Sequence, residues 1–132
     1  MKNYSLLLAG FLLLSSQLFA KYPPAVLPMA DQDSGLYVPD IFSPNGDGEN
    51  DVLVIYADTG DVKNIKSFQV YSRWGELVWE RHNFQPNIPE FGWDGERPDF
   101  EIAPVGMYHW RAIVELAGKP AVLLQGNVTL AR

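Results

Sequence analysis

The chain has 132 residues, 10 of them Lys or Arg and 16 Asp or Glu, giving a formal net charge of −6 with aromatics at 13% and no cysteine. That length holds one domain and a leader, and the acidic balance excludes nucleic acid as a partner by repelling phosphate backbones. Zero cysteines exclude a disulfide framework and a lipidated N-terminal cysteine.

Residues 1–20 read as a cleaved signal peptide. Lys2 supplies a positive start, Leu6 to Leu14 an apolar run of nine residues, and Ala20 a small residue at the cleavage point. The run is too short to span a bilayer as a helix, so the exported chain is expected to be peripheral to a membrane rather than spanning it. The leader carries one lysine and no acid, so its removal takes the net charge to −7. Residues 21–35, with three prolines followed by Asp31, Asp33 and Ser34, read as a flexible lead-in to a domain over residues 36–132.

Leu36-Tyr37-Val38 is a short strand stopped by Pro39. Next comes Phe42-Ser43-Pro44-Asn45-Gly46-Asp47-Gly48-Glu49-Asn50-Asp51, a loop of residues that favour turns. Counting Ser43 as position 1 puts Asn45 at 3, Asp47 at 5, Gly48 at 6, the Glu49 carbonyl at 7 and Asp51 at 9 of a calcium loop. Position 12 is Val54, so the bidentate glutamate is missing. Ser43, Asn45, Asp47, Glu49 and Asp51 are therefore either a weak calcium site or an Asx-rich turn without metal.

The apolar run up to Tyr56 predicts a strand over 51–56, central in a sheet because both its faces are apolar. Ile65–Ser72 and Glu76–Glu80 form a hairpin through Arg73-Trp74-Gly75, with Gly75 at the position needing φ > 0. Gly106–Leu116 alternates clearly: Tyr108, Trp110, Ala112, Val114 and Leu116 face the core, and Met107, His109, Arg111, Ile113 and Glu115 face water. Ala121–Leu124 and Gly126–Ala131 close the chain, Val128 and Leu130 pointing inward. About seven short strands with regular turns describe an all-β, immunoglobulin-like antiparallel β-sandwich. One long segment, 81–105, carries four prolines with Phe84, Phe91, Trp93 and Phe100; its aromatics either cap an open end of the sandwich or form a recognition surface.

Five motifs in order carry a resemblance: Phe42-Ser43-Pro44-Asn45-Gly46-Asp47-Gly48 with Asn50-Asp51, Tyr71-Ser72-Arg73-Trp74-Gly75-Glu76, Trp93-Asp94-Gly95, Pro104-Val105-Gly106-Met107-Tyr108, and Gly126-Asn127-Val128-Thr129-Leu130. Together they resemble the gliding motility-associated C-terminal domain, the type B sorting domain of the type IX secretion system, from about Tyr37 to Arg132. The resemblance implies a tail that directs export through type IX translocon components and docks on a dedicated outer-membrane β-barrel protein. Members are usually tails on large cargo. Here only the leader and a fifteen-residue lead-in precede the domain, so it is expected to be itself the delivered product or a fixed component on the barrel. Arg97-Pro98-Asp99-Phe100 stands where the family commonly has a glycine, which stiffens that loop.

The candidate partner-binding residues are Arg73, Trp74, Gly75, Trp93, Asp94 and Arg132. Arg73 beside Trp74 suits a cation–π pair, on a tip that either meets a partner or folds back on the sheet. Asp94 reads as a turn former accepting local N–H groups, and Arg132 as either a captured terminus or simply the end of the last strand. His82 and His109 belong to no catalytic spacing, and no Gly-x-Ser-x-Gly elbow or cysteine nucleophile is present, so no enzyme is expected. The reading is a non-enzymatic docking domain exported across the inner membrane to the periplasm, then to the outer membrane or cell surface. The alternative is a calcium-stabilised surface adhesion module binding glycans through Trp74 and Trp93.

Overall fold

The computed structural model describes residues 35–58 and 60–132, together with Leu27 and Met29. The predicted signal peptide and nearly all of the lead-in lie outside the described residues. Among the described residues seven strands form: β1 (Leu36–Tyr37), β2 (Ile41–Phe42), β3 (Tyr56–Ala57), β4 (Val62–Ser72), β5 (Leu77–Phe84), β6 (Gly106–Leu116) and β7 (Val122–Leu130). The fold is all-β. A five-stranded sheet runs β2-β7-β6-β4-β5, and a two-stranded ribbon pairs β1 with β3.

The large sheet follows from side-chain alternation. Tyr108, Trp110, Ala112 and Val114 of β6 are buried, and Met107, His109 and Arg111 between them are exposed, as the period of two requires. Ile65, Phe68 and Val70 of β4 and Leu124, Val128 and Leu130 of β7 bury on the same side. Cross-strand register brings Phe68 opposite Ala112 and Tyr108 opposite Val128. The second layer is thinner and less regular: Leu36 of the β1–β3 ribbon, Val38, Leu53, Ile55, Trp93 and Ala103 pack in one core with the sheet. All neighbouring pairs in the two sheets are antiparallel except β2 with β7, which run parallel through Ile41 opposite Thr129 and Phe42 opposite Leu130.

The expected central strand over 51–56 does not form. Leu53, Val54 and Ile55 are indeed buried, but their backbone is satisfied piecemeal. Leu53 exchanges two hydrogen bonds with Trp93, at 2.8 and 3.0 Å, and Asn87 donates its N–H to the Ile55 carbonyl at 2.9 Å. The Asn87 side chain then clamps Ala57 from both sides, accepting from its N–H and donating to its carbonyl, each at 2.9 Å. Only Tyr56–Ala57 pairs as a strand. A short apolar run specifies burial but not backbone class, and here a side-chain clamp took the place of a ladder.

Strand β5 reaches Phe84, so the irregular segment begins later than the sequence suggested. It turns through a short 3-10 segment at Pro89–Phe91 and closes on itself where Glu96 bridges Ile102. Its aromatics cap the core. Phe84 meets Phe91 at 6.0 Å between centroids, and Trp93, fully buried, lies 5.2 Å from Phe42 and 5.1 Å from Tyr108. Phe100 alone among them turns outward, 85% exposed, at φ +64°.

Candidate functional site

The motif-bearing loops gather at one end of the large sheet. The β4–β5 hairpin turns through Arg73-Trp74-Gly75: Ser72 N–H donates to the Glu76 carbonyl at 2.8 Å, Gly75 N–H donates to the Ser72 carbonyl at 2.9 Å, and Gly75 sits at φ +81°. The Ser72 hydroxyl accepts from the N–H groups of Trp74 and Glu76, both at 3.2 Å, so the tip is stiffened from within. Trp74 does not fold back on the sheet. The residue is 81% exposed, and the Arg73 guanidinium stacks over its ring at 5.0 Å from the centroid.

Across from the tip, the Pro104–Tyr108 entry into β6 supplies the facing wall. Tyr108 is buried and donates its hydroxyl to the Pro104 carbonyl at 2.5 Å; burial pushes its pKa up against the opposing pull of Arg132 and Arg97. Val105 and Met107 are left exposed. Between the two walls lies a hollow of about 300 Å³, lined among others by Arg73, Trp74, Val78, Arg97, Val105 and Met107. A second hollow of about 400 Å³ adjoins it through Arg97 and is bordered by Leu77, Trp79 and Phe100.

The remaining loops brace this end. Asp94 accepts the Glu96 N–H at 3.0 Å, forming the expected turn, and Trp93 Nε1 donates to the Glu96 carbonyl at 2.8 Å. Gly95, at φ +86°, packs so closely that an added Cβ would lie 3.1 Å from Pro44 and 3.3 Å from Leu130. The Arg132 guanidinium crosses over to donate to the Ala103 carbonyl at 2.9 Å.

In the loop read as a calcium candidate, side-chain oxygens are occupied by backbone N–H groups. Asp51 Oδ1 accepts from Asn45 at 3.1 Å and Gly46 at 2.9 Å, and its Oδ2 from Gly48 at 2.7 Å. Asn45 Oδ1 accepts from Asp47, and Asp47 Oδ1 from Glu49. Partial desolvation raises the Asp51 pKa, but the N–H groups of Gly48, Gly46, Asn45 and Asp47 outweigh it and hold the carboxyl below its ordinary value. Ser43 joins by its backbone, donating to the Asn50 carbonyl at 2.7 Å. Among the described residues no group of three or more His, Cys, Asp or Glu side chains converges as a metal site.

A family model for the CHU_C type IX secretion signal domain matches residues 36–129. The chain belongs to that family. The match covers the β-domain from β1 almost to the end of β7, including four of the five motif segments whole and the fifth up to Thr129. No curated protein matches the chain. Membership makes the domain a type IX sorting module, implying export to the cell surface or secretion and contact with the secretion machinery. Among the described residues, no helix is long and apolar enough to cross a membrane.

The structure brings Arg73, Trp74 and Gly75 together at an exposed tip and gives Trp93 to the core, where its indole has no surface to offer a ligand. Asp94 and Arg132 brace loops. Arg97, Val105 and Met107, none of them among the partner-binding residues expected from the sequence, complete the hollow. The alternation in β6 had marked Met107 as outward, but nothing in the sequence placed it against Trp74.

Proposed function

We propose that this signal domain works by docking: the hairpin tip and the adjoining β6 entry meet an outer-membrane β-barrel protein, which receives the domain during or after type IX export. On this reading the leader carries the chain across the inner membrane and the folded domain engages the barrel from the periplasm. The observation that carries it is Trp74. A tryptophan held 81% exposed by its own hairpin and stacked under Arg73 gains nothing for the fold where it stands. Trp and Arg are the residues that dominate binding energy when covered by a partner, typically about 2 kcal/mol or more for each truncation at the centre of an interface. The domain has no catalytic step on this account; its activity is recognition.

Gentle detergent extraction of outer membranes tests the proposal. The domain is expected to co-purify with one barrel protein, and Trp74→Ala is expected to weaken that association about 30-fold. Recovery of the wild-type domain as a free monomer, with no membrane partner, would overturn it.

A further inference from the structure

Resting on that docking reading, we propose that the hollow between the Arg73–Trp74 tip and the Pro104–Tyr108 wall receives one apolar or aromatic side chain carried beside a carboxylate on a segment of the protein partner. Three features converge on it.

The first is apolar surface without a cover. Trp74, Val105 and Met107 line the hollow and are 81%, 62% and 52% exposed. The opening, about 300 Å³, is at the small end for ligand sites, which suits a single side chain. The second is charge. The chain is acidic overall at −6, yet three of its five arginines, Arg73, Arg97 and Arg132, come to this end. Glu76 is the acid lining the hollow. Glu80, Asp94 and Glu96 border the adjoining hollow, so the excess of positive charge belongs to the first hollow alone, where Arg73 and Arg97 stand against one acid and draw a carboxylate to that spot.

The third feature is an unused donor. Arg97 Nε is shielded from solvent and makes no hydrogen bond; Asp99 is 4.0 Å away, beyond hydrogen-bonding reach. A desolvated guanidinium N–H without an acceptor is costly, and a carboxylate entering the hollow supplies one in the fork geometry that arginine favours. Arg73, stacked over Trp74, holds its charge at the rim instead of sweeping through solvent. The ring and the two guanidinia thus form a pre-set receptor whose apolar wall and cationic rim must be satisfied together. A neutral sugar meets one half of that requirement and a free anion the other.

Titrating the isolated protein with 3-phenylpropionate, followed by ¹H–¹⁵N NMR, reads the hollow without any barrel protein. The expected result is saturable shifts of the Trp74 indole N–H, the Arg97 Nε–H and the amides of Val105 and Met107. The neutral analogue 3-phenylpropanamide is expected to bind at least about threefold more weakly, the share that a partly exposed charge pair contributes. Arg97→Gln is expected to abolish that preference and Arg97→Lys to retain part of it, the spectra reporting in each case that the fold is intact. Equal binding of acid and amide, an equal response to inorganic phosphate, or no response at these groups would overturn the proposal. Such a failure with barrel co-purification intact refutes the hollow and leaves the docking reading standing. If 3-phenylpropionate binds as expected but Arg97→Gln leaves barrel association unchanged, the link between hollow and partner is refuted.

Discussion

A single methyl group added at Gly92 is expected to unseat the core. A Cβ there would fall on the Leu53 carbonyl oxygen, 2.5 Å from Val52 Cγ1 and 3.1 Å from the Leu53 carbonyl carbon. The first and last of these are backbone atoms, so no side-chain rotation relieves the overlap. They also belong to the segment that exchanges hydrogen bonds of 2.8 and 3.0 Å with Trp93. Gly92→Ala must therefore push the Trp93 loop away from Leu53. Losing the two bonds costs about 1 kcal/mol each, and forcing extra volume into a packed site adds about 1–3 kcal/mol, so a loss of roughly 3–5 kcal/mol is expected. For a domain of this size that is a fall in Tm of at least about 12 °C. Gly60 supplies the control, since a Cβ there meets nothing within 4 Å, and Gly60→Ala should stay within about 0.5 kcal/mol of wild type. Urea unfolding followed by tryptophan fluorescence measures both. If Gly92→Ala unfolds within about 0.5 kcal/mol of wild type, the Leu53–Trp93 contact does not hold the second layer as described.

Other outcomes follow from the loops. Because Asp51 is held below its ordinary pKa in the fold, its charged form contributes stability that is fully present above the unfolded pKa and lost as pH falls through the folded one. The Tm gap between wild type and Asp51→Asn is thus expected to be widest near neutral pH and to close on acidification; a gap that widens in acid would contradict the assignment. With Asp51 already accepting three N–H groups, millimolar calcium is expected to leave the melting curve where it was. A rise in Tm that disappears in Asp47→Ala would establish the calcium loop instead. Trp74→Ala is expected to leave unfolding within about 0.5 kcal/mol of wild type, since the ring contributes little to the core, while weakening association with outer membranes. A large loss of stability in that variant would mean the tip is structural.

Much of the sheet was legible because alternation is a local signal. The inward set Tyr108, Trp110, Ala112 and Val114 and the φ > 0 role of Gly75 could be read from spacing and turn chemistry alone. The second layer was not. Leu53–Ile55 has the composition of a buried strand, but its backbone partners, Trp93 and Asn87, lie more than thirty residues away and leave no periodic trace. The site was half legible for the same reason. Arg73 and Trp74 announced themselves at a hairpin tip, whereas Arg97, Val105 and Met107 became relevant only once β4 and β6 were paired side by side. Trp93, grouped with Trp74 in the sequence as an aromatic available for binding, is the largest fully buried side chain of the core.

The docking account stands most directly on where a photo-crosslinker at position 74 reacts in intact outer membranes. Substituting p-benzoylphenylalanine for Trp74 is expected to give a covalent adduct with one β-barrel protein, while the same group at Lys119, in the exposed turn between β6 and β7, gives none. An adduct formed from position 119 but not from position 74 would contradict the account.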